Sequence, residues 1–145
     1  MAKGKGLQDL AKKTQRMQAA IEAAASNIAV DVAQSIVGTL AFTTPVDTSN
    51  ALSNWRATLD APASDTIGPH FLGSRGSTKK SSATATYEGA RPVLAKKKPS
   101  QPIYITNNVD YITKLNEDHA QSGFVERAVL LGRKRASKKL KLQGL

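Results

Sequence analysis

The chain has 145 residues, a formal net charge of +10, a single Trp, three Tyr, three Phe and no Cys. The absence of Cys excludes a disulfide framework and thiolate metal sites, and the few aromatic residues imply a small, mostly aliphatic core, part of which we expect to be shared with a partner. The sequence has no run of about eighteen apolar residues and no apolar segment behind Lys3 and Lys5, so we expect neither a membrane span nor a secretory signal.

A long N-terminal helix is the first predicted element. Its apolar residues recur at a spacing of three to four: Leu7, Leu10, Met17, Ile21, Ile28, Val32 and Ile36. The spacing predicts a helix from about residue 6 to about residue 41, roughly 50 Å long. An ordinary core helix would show the same spacing. A rod of this length in so small a domain nevertheless favours a helix that projects beyond its own sheet and packs on a neighbouring subunit.

A sharp corner is predicted after this helix. Pro45 stops the helix, and Asp47 or Thr48 is expected to cap a helix of one or two turns by accepting a hydrogen bond from a backbone N–H two or three residues on. The alternation from Trp55 to Leu59 predicts a strand. We expect Trp55 to be mostly buried, against the long helix or against a neighbouring subunit.

A long loop at about residues 60–82 is predicted from its Pro, Gly, Ser and Thr content. Loops of this length in compact domains tend to be functional or disordered. The following helix is expected from Ala83 to about Gly89, because Pro92 disfavours helical backbone at Arg91 and must end or kink the element.

The C-terminal part of the chain predicts one more strand and two more helices. The strand is expected over residues 102–106, with alternate side chains on opposite faces. A short helix over about residues 110–116 follows. The last helix begins at about Ser122 and gives way to a basic tail at about residues 133–145.

The basic residues form three clusters, in residues 1–16, 75–98 and 127–145, and the last of these contains no acidic residue. Such clusters fit two interpretations, namely solubility with terminal disorder, or contact with nucleic acid or an acidic protein surface. The candidate residues that would face DNA or an acidic partner are Lys96, Lys97, Lys98, Arg133, Lys134, Arg135, Lys138, Lys139 and Lys141.

The sequence predicts no catalytic, metal or cofactor site. Gly68 and Gly73 have the separation of the two P-loop glycines, but the Lys and the Ser or Thr that must follow are missing. His70 and His119 are the two histidines, and neither has a partner four residues away. We therefore expect a protein that is not an enzyme.

Two segments carry the most specific signal: residues 44–55 (TPVDTSNALSNW) and residues 103–111 (IYITNNVDY), about fifty residues later. Together they resemble the head-to-tail connector and tail-completion family of tailed bacteriophages. Its members carry a Thr-Pro-Val-Asp-Thr-Gly segment followed by Leu, Ser and Trp, and later an Ile, an Asn-Asn pair, a Tyr and a Leu. The residues that carry the resemblance and would form the assembly motif are Pro45, Asp47, Thr48, Leu52, Trp55, Ile105, Asn107, Asn108, Tyr111 and Leu115, together with Thr44, Val46 and Ser53.

The resemblance implies an α+β fold, in which a long N-terminal helix and shorter C-terminal helices pack on a small, mostly antiparallel β-sheet within a single domain of residues 1–145. It also implies a structural virion protein of the phage neck that forms a hexameric or dodecameric ring, joins the DNA-filled head to the tail and lets DNA pass. The implied partners are further copies of the chain, portal or adaptor proteins, tail proteins and double-stranded DNA, in the virion and, during assembly, in the host cytoplasm. The neck layer, whether adaptor, stopper, tail completion or tail terminator, stays open.

The chain departs from the family pattern at two places. Ser49 stands where the family has Gly, and Asn116-Glu117-Asp118-His119 stands where the family has Glu-x-Gly, with Gln121-Ser122-Gly123 in place of a glycine-rich loop. The alternative function is a small basic nucleic-acid-binding protein. That alternative accounts for the charge clusters and for none of the motif residues.

Overall fold

A computed structural model describes residues 2–118 and 122–144; the predictions that concern His119 and Gln121 lie outside them. The elements in chain order are α1 (Ala2–Thr43), α2 (Asn50–Ser53), β1 (Arg56–Leu59), α3 (Lys79–Leu94), β2 (Ile103–Thr106), α4 (Ile112–Asp118) and α5 (Phe124–Leu142). The predicted α+β class is confirmed, with one small antiparallel sheet of two strands in the described part of the chain.

The second half of α1 is held between α3 and α5, which both run antiparallel to it. On the α3 side, Gln34 Nε2 donates to the Tyr87 carbonyl at 2.8 Å, and Lys97 Nζ donates to Ser26 Oγ at 2.9 Å. On the α5 side, Phe124 packs near Leu40 in one buried cluster. Burial of these faces explains why α1 is stable as a helix.

The sheet lies beside this helical layer and closes the core. Strands β1 and β2 pair with Ala57 opposite Ile105. Ala57 is buried in a cluster with Val37 and Leu94, and Ile105 packs against that cluster from the partner strand. The alternation of side chains therefore directs one face of the two-stranded sheet onto α1 and α3.

Trp55 is buried, as predicted. It packs in a cluster with Leu40 and Phe124, and 8% of its surface is exposed. Its indole Nε1–H donates to Thr44 Oγ1 at 2.8 Å. The contact that buries the side chain is thus made with α1 of the same chain.

Helix α3 begins earlier and ends later than predicted. It starts at Lys79 and continues through Pro92 to Leu94, so the expectation that the helix ends or kinks at Arg91 was wrong about where it ends. Pro92 is exposed in the last turn, whereas Leu94 is 1% exposed against α1. Burial of Leu94, about 1.5–3 kcal/mol, is comparable with the roughly 3 kcal/mol that an interior Pro costs.

Helix α5 also differs from the prediction. The basic segment expected as a tail at about residues 133–145 continues the helix to Leu142. The buried positions Phe124, Ala128 and Gly132 recur every four residues and face α1. The helical period thus extends from the apolar part into the basic part.

The first half of α1 projects beyond the rest of the domain. Every residue over 6–23 is exposed, and Leu7, Leu10, Met17 and Ile21 are between 49% and 67% exposed. The projecting segment is about 25 Å long. By length and composition alone, the helix over Gly6–Thr43 is apolar enough to cross a membrane, and a third of its most apolar window is buried within the domain. Core helices pass the same test.

The closest approach of α1 and α5 is made at Gly132, where an added Cβ would lie 2.5 Å from Ile36 Cδ1. We expect Gly132→Ala to lower the free energy of unfolding by about 1 kcal/mol, because overpacking outweighs the gain in helix propensity. Gly89→Ala is the matched control, since nothing lies within 4 Å of that added Cβ. The control should stabilise by about 0.5–1 kcal/mol. Urea unfolding measures both, and equal stabilisation would contradict the close approach.

Candidate assembly site

The corner between α1 and the sheet begins where α1 ends at Thr43. Helical backbone is disfavoured at Thr44 because Pro45 follows it. Thr44 Oγ1 donates to the Leu40 carbonyl at 2.6 Å and accepts the hydrogen bond from Trp55. The hydroxyl of Thr44 therefore ties the end of α1 to the residue that precedes β1.

The two motif segments meet at this corner. Asn50 Nδ2 donates to the Tyr111 hydroxyl oxygen at 3.0 Å, and Asn107 Nδ2 donates to the Ala51 carbonyl at 2.8 Å. Asn108 Nδ2 donates to the carbonyls of Ala63 and of Asp65 in the long loop. Residues more than fifty positions apart in sequence thus form one hydrogen-bonded structure.

Asp47, one of the two residues predicted as alternatives for capping α2, does not make that contact. Its Oδ1 accepts a hydrogen bond from the Arg75 backbone N–H at 2.6 Å, and its own carbonyl accepts from the Gly76 N–H at 2.9 Å. The alternative residue, Thr48, does accept from the backbone N–H of Asn50 two residues on, over a long 3.4 Å. Asp47 therefore fixes the far end of the long loop.

The long loop is ordered by side chains from the body of the domain. Asn54 uses both ends of its amide on the backbone of Ile67. Ser53 Oγ accepts from the His70 N–H at 3.0 Å, and Ser82 Oγ accepts from the Phe71 N–H at 3.0 Å. These contacts leave the Phe71 side chain 52% exposed on a fixed backbone.

Ser49 occupies the position where the resembling family has Gly. Its φ of 72° lies in the left-handed region, which Gly adopts without steric cost. The side chain is 1% exposed, and its hydroxyl makes a 2.8 Å hydrogen bond with Thr78 Oγ1. The corner thus needs the glycine-type conformation, and Ser49 supplies a hydrogen bond in addition.

An open cleft of about 430 Å³ lies between this corner and α4. Of the predicted motif residues, six line it, namely Pro45, Val46, Asp47, Thr48, Tyr111 and Leu115. Leu52, Trp55 and Ile105 instead belong to the apolar clusters of the core. The motif therefore divides into residues that build the corner and residues that border the cleft. The cleft offers hydroxyl, amide and carboxylate groups beside apolar side chains.

Three of the nine candidate cations are held within the chain. Arg135 makes two hydrogen bonds to the Asp31 carboxylate, at 2.6 and 3.0 Å, and Lys139 Nζ lies 3.9 Å from the same group. Lys97 bonds to Ser26. These three cations therefore have partners within the chain, and their contact with DNA or an acidic partner stays a prediction. The exposed cations of the set are Lys96, Lys98, Arg133, Lys134, Arg135, Lys138 and Lys141, of which Arg135 is bound to Asp31.

The hydrogen bonds from Arg135 lower the pKa of Asp31, and the charges of Arg135 and Lys139 act in the same direction against the effect of burial. A lowered folded-state pKa means that the stabilisation is present above the unfolded value of 3.8 and is lost as the pH falls through the folded value. Sequence reasoning overlooked Asp31, although a carboxylate within an apolar helix is itself a signal for a paired charge.

Asp31→Asn should lower the free energy of unfolding at pH 7 by about 0.5–1 kcal/mol, because the bidentate pair is partly exposed and screened. The difference from the parent chain should shrink as the pH falls below 3.8, where the parent carboxylate becomes protonated. Denaturant unfolding across this pH range measures it. Asp9→Asn, on the projecting half of α1, is the control and should leave the free energy of unfolding unchanged. A difference for Asp31→Asn that is independent of pH would contradict the assigned role.

Comparison with known proteins gives no match among family models, curated proteins or solved structures.

Ser49→Gly is expected to be more stable than Ser49→Ala by about 1 kcal/mol, because both lose the bond to Thr78 and only Gly adopts a φ of 72° freely. At Ser137, an exposed helical position, the order should be reversed, with Ala more stable than Gly by about 1 kcal/mol. Thermal or urea unfolding of the four variants measures both differences. The same order at the two positions would contradict the left-handed corner.

Proposed function

We propose that this protein is a structural virion protein of the phage neck, which assembles with further copies of itself into a ring that joins the DNA-filled head to the tail and allows DNA passage. Portal or adaptor proteins and tail proteins of the same virion are the proposed neighbours. The proposal places the protein in the neck of the virion, and in the host cytoplasm during assembly. The observation that carries it is the meeting of the two motif segments at one corner.

The corner supports the proposal because the two segments that carry the resemblance are hydrogen-bonded to each other there, through the matched residues Asn107 and Tyr111. Asn50 bonds to Tyr111, and Asn107 bonds to Ala51, so each segment holds the other in place. A chance resemblance in two separate segments would not require them to be in contact. The backbone of Ser49 also supports the proposal. It has the left-handed conformation that Gly adopts most easily, which explains why the family pattern has Gly at this position.

The projecting half of α1 supports self-assembly. Its apolar residues Leu7, Leu10, Met17 and Ile21 are spaced by three, seven and four residues and lie on one side of the helix. In the second half of α1, the same side of the helix continues into the contact with α5. A helix gains most of its stability from a packed face, so a helix of a neighbouring subunit would continue the role that α5 has in the body.

Small basic nucleic-acid binding is the alternative function. It would account for the exposed cations of α5 but would leave the corner and the projecting helix without a role. A ring that lets DNA pass accommodates all three features.

Leu10→Glu with Met17→Glu should convert an assembled ring into monomers, because buried carboxylates without partners oppose association. Size-exclusion chromatography with light scattering gives the mass, and electron microscopy shows whether rings form. The fold of each subunit should persist, with Trp55 fluorescence unchanged, since both residues lie beyond the core.

The matched control is Gln15→Glu with Ala19→Glu, which adds the same charge to exposed positions on the opposite side of the helix. This variant should still form rings. A parent chain that stays monomeric at every concentration, alone and with the portal or tail proteins of its virion, would refute the proposed function. Rings formed equally well by both double variants would refute the role of the projecting helix.

A further inference from the structure

Helix α5 presents a continuous basic face to solvent. Its buried residues Phe124, Ala128 and Gly132 mark the side that faces α1. At 3.6 residues per turn, the exposed polar residues of the second half other than Arg135, which is bound to Asp31, fall within an arc of about 140° on the other side. They are Arg133, Lys134, Ser137, Lys138 and Lys141, which we call the α5 basic face.

Among the described residues 2–118 and 122–144, no acidic side chain forms an ion pair with this face. Residues 127–144 contain no Asp or Glu. The acidic residue that meets this part of α5 is Asp31, and it is bound by Arg135 and Lys139 on the inner side of the helix. The two inner cations therefore hold α5 on α1, while the four outer cations keep their full charge.

Duplex DNA fits this face better than an acidic protein does. The face is about 12 Å long from residue 133 to residue 141. A duplex carries one negative charge per ~1.7 Å of its axis, or about seven over that length. An acidic protein surface offers far fewer charges over the same distance, and its carboxylates are not evenly spaced.

A membrane fits the face less well. A helix that lies in a membrane interface needs an apolar face opposite its charges. The face opposite the basic one is here buried against α1 and closed by the Gly132 contact with Ile36. The helix therefore has no free apolar face on that side with which to enter lipid.

We infer that the α5 basic face binds the phosphate backbone of duplex DNA without sequence preference. Arg, Lys and Ser are side chains that contact phosphate oxygens, and contacts to phosphate carry no sequence information directly. The inference does not depend on ring formation, because one subunit carries the complete face.

The test is fluorescence anisotropy with two 20-base-pair duplexes of unrelated sequence, titrated with the full chain at several salt concentrations. Four phosphate contacts predict a slope of log affinity against log salt of about −3.6, or roughly a 150-fold loss between 50 and 200 mM salt. If subunits associate, the measured slope of log affinity against log salt belongs to the assembled particle. Light scattering in the same buffers gives the number of subunits by which this slope is divided.

The key variant is Arg133→Gln with Lys134→Gln, Lys138→Gln and Lys141→Gln, which leaves the Asp31 pair intact. Affinity at 50 mM salt should fall more than tenfold, and the slope per subunit should become shallower by about three to four. The matched control replaces Lys12, Arg16, Lys80 and Lys114 by Gln, which removes the same charge from exposed positions outside the candidate set. The control should keep most of the affinity and the slope. Circular dichroism and thermal unfolding establish that both variants fold.

Three results would overturn the inference. The first is an equal loss of affinity in the two quadruple variants, which would show an effect of net charge alone. The second is binding of polyglutamate as tight as that of DNA at equal salt, which would favour an acidic protein partner. The third is a strong preference for one of the two duplexes. If the key variant does not fold, Lys138→Gln with Lys141→Gln near the helix end replaces it, with an expected change in slope of about two.

Discussion

The packing of the second half of α1 between α3 and α5 is the constraint on which the rest of the structure depends. Each neighbour approaches α1 at a glycine: an added Cβ at Gly38 would lie 3.0 Å from the Tyr87 ring, and one at Gly132 would meet Ile36. Close approach lets a chain with few aromatic residues fill its core with Ala, Val, Leu and Ile. The position of the sheet, the burial of Trp55 and the direction of α5 follow from this layer.

The corner depends on the same layer. Thr44 at the end of α1 receives the indole N–H of Trp55, and Trp55 packs on Leu40 of α1 and on Phe124 of α5. The cleft beside the corner is in turn bordered by α4, whose Leu115 packs on the Trp55 cluster. A neighbour that binds in the cleft would therefore contact side chains whose positions are fixed by the core, which suits a protein whose proposed role is to hold two parts of a virion together.

Local patterns predicted the elements well, and distant contacts could not be predicted from them. The spacing of Leu7 to Ile36 gave α1, and the alternation after Trp55 gave β1. The partner of Asp47 is Arg75, and the partner of Asp31 is Arg135, 104 residues away. Neither partner can be identified from the residues around the carboxylate. The end of α3 was predicted wrongly from Pro92 for a related reason. The burial of Leu94 against α1 offsets the local preference of proline against helix.

The same distinction between local patterns and distant contacts applies to the candidate site. Its residues could be named from their resemblance to a family pattern, but their roles depended on three-dimensional contacts. Asp47 was assigned to a cap, which is a local function, and instead holds the loop. The basic residues were treated as one tail, whereas the helical period divides them into an inner pair on Asp31 and an outer face. From the sequence, the two groups could have been separated by continuing the helical period of α5 past Gly132.

The projecting half of α1 has a consequence for how its helix forms. A free segment of this length would need its own nucleus, for which the equilibrium factor is about 10⁻³. Here the packed half of α1 is already helical, so each further turn only extends an existing helix, and the alanines of the segment favour extension. The helix of the projecting segment is thus nucleated by the body of the domain, and it extends or unwinds one turn at a time, starting farthest from that body. The projecting half of α1 therefore exchanges between a fully helical form and partly unwound forms. Contact along its apolar side would shift this equilibrium toward the fully helical form.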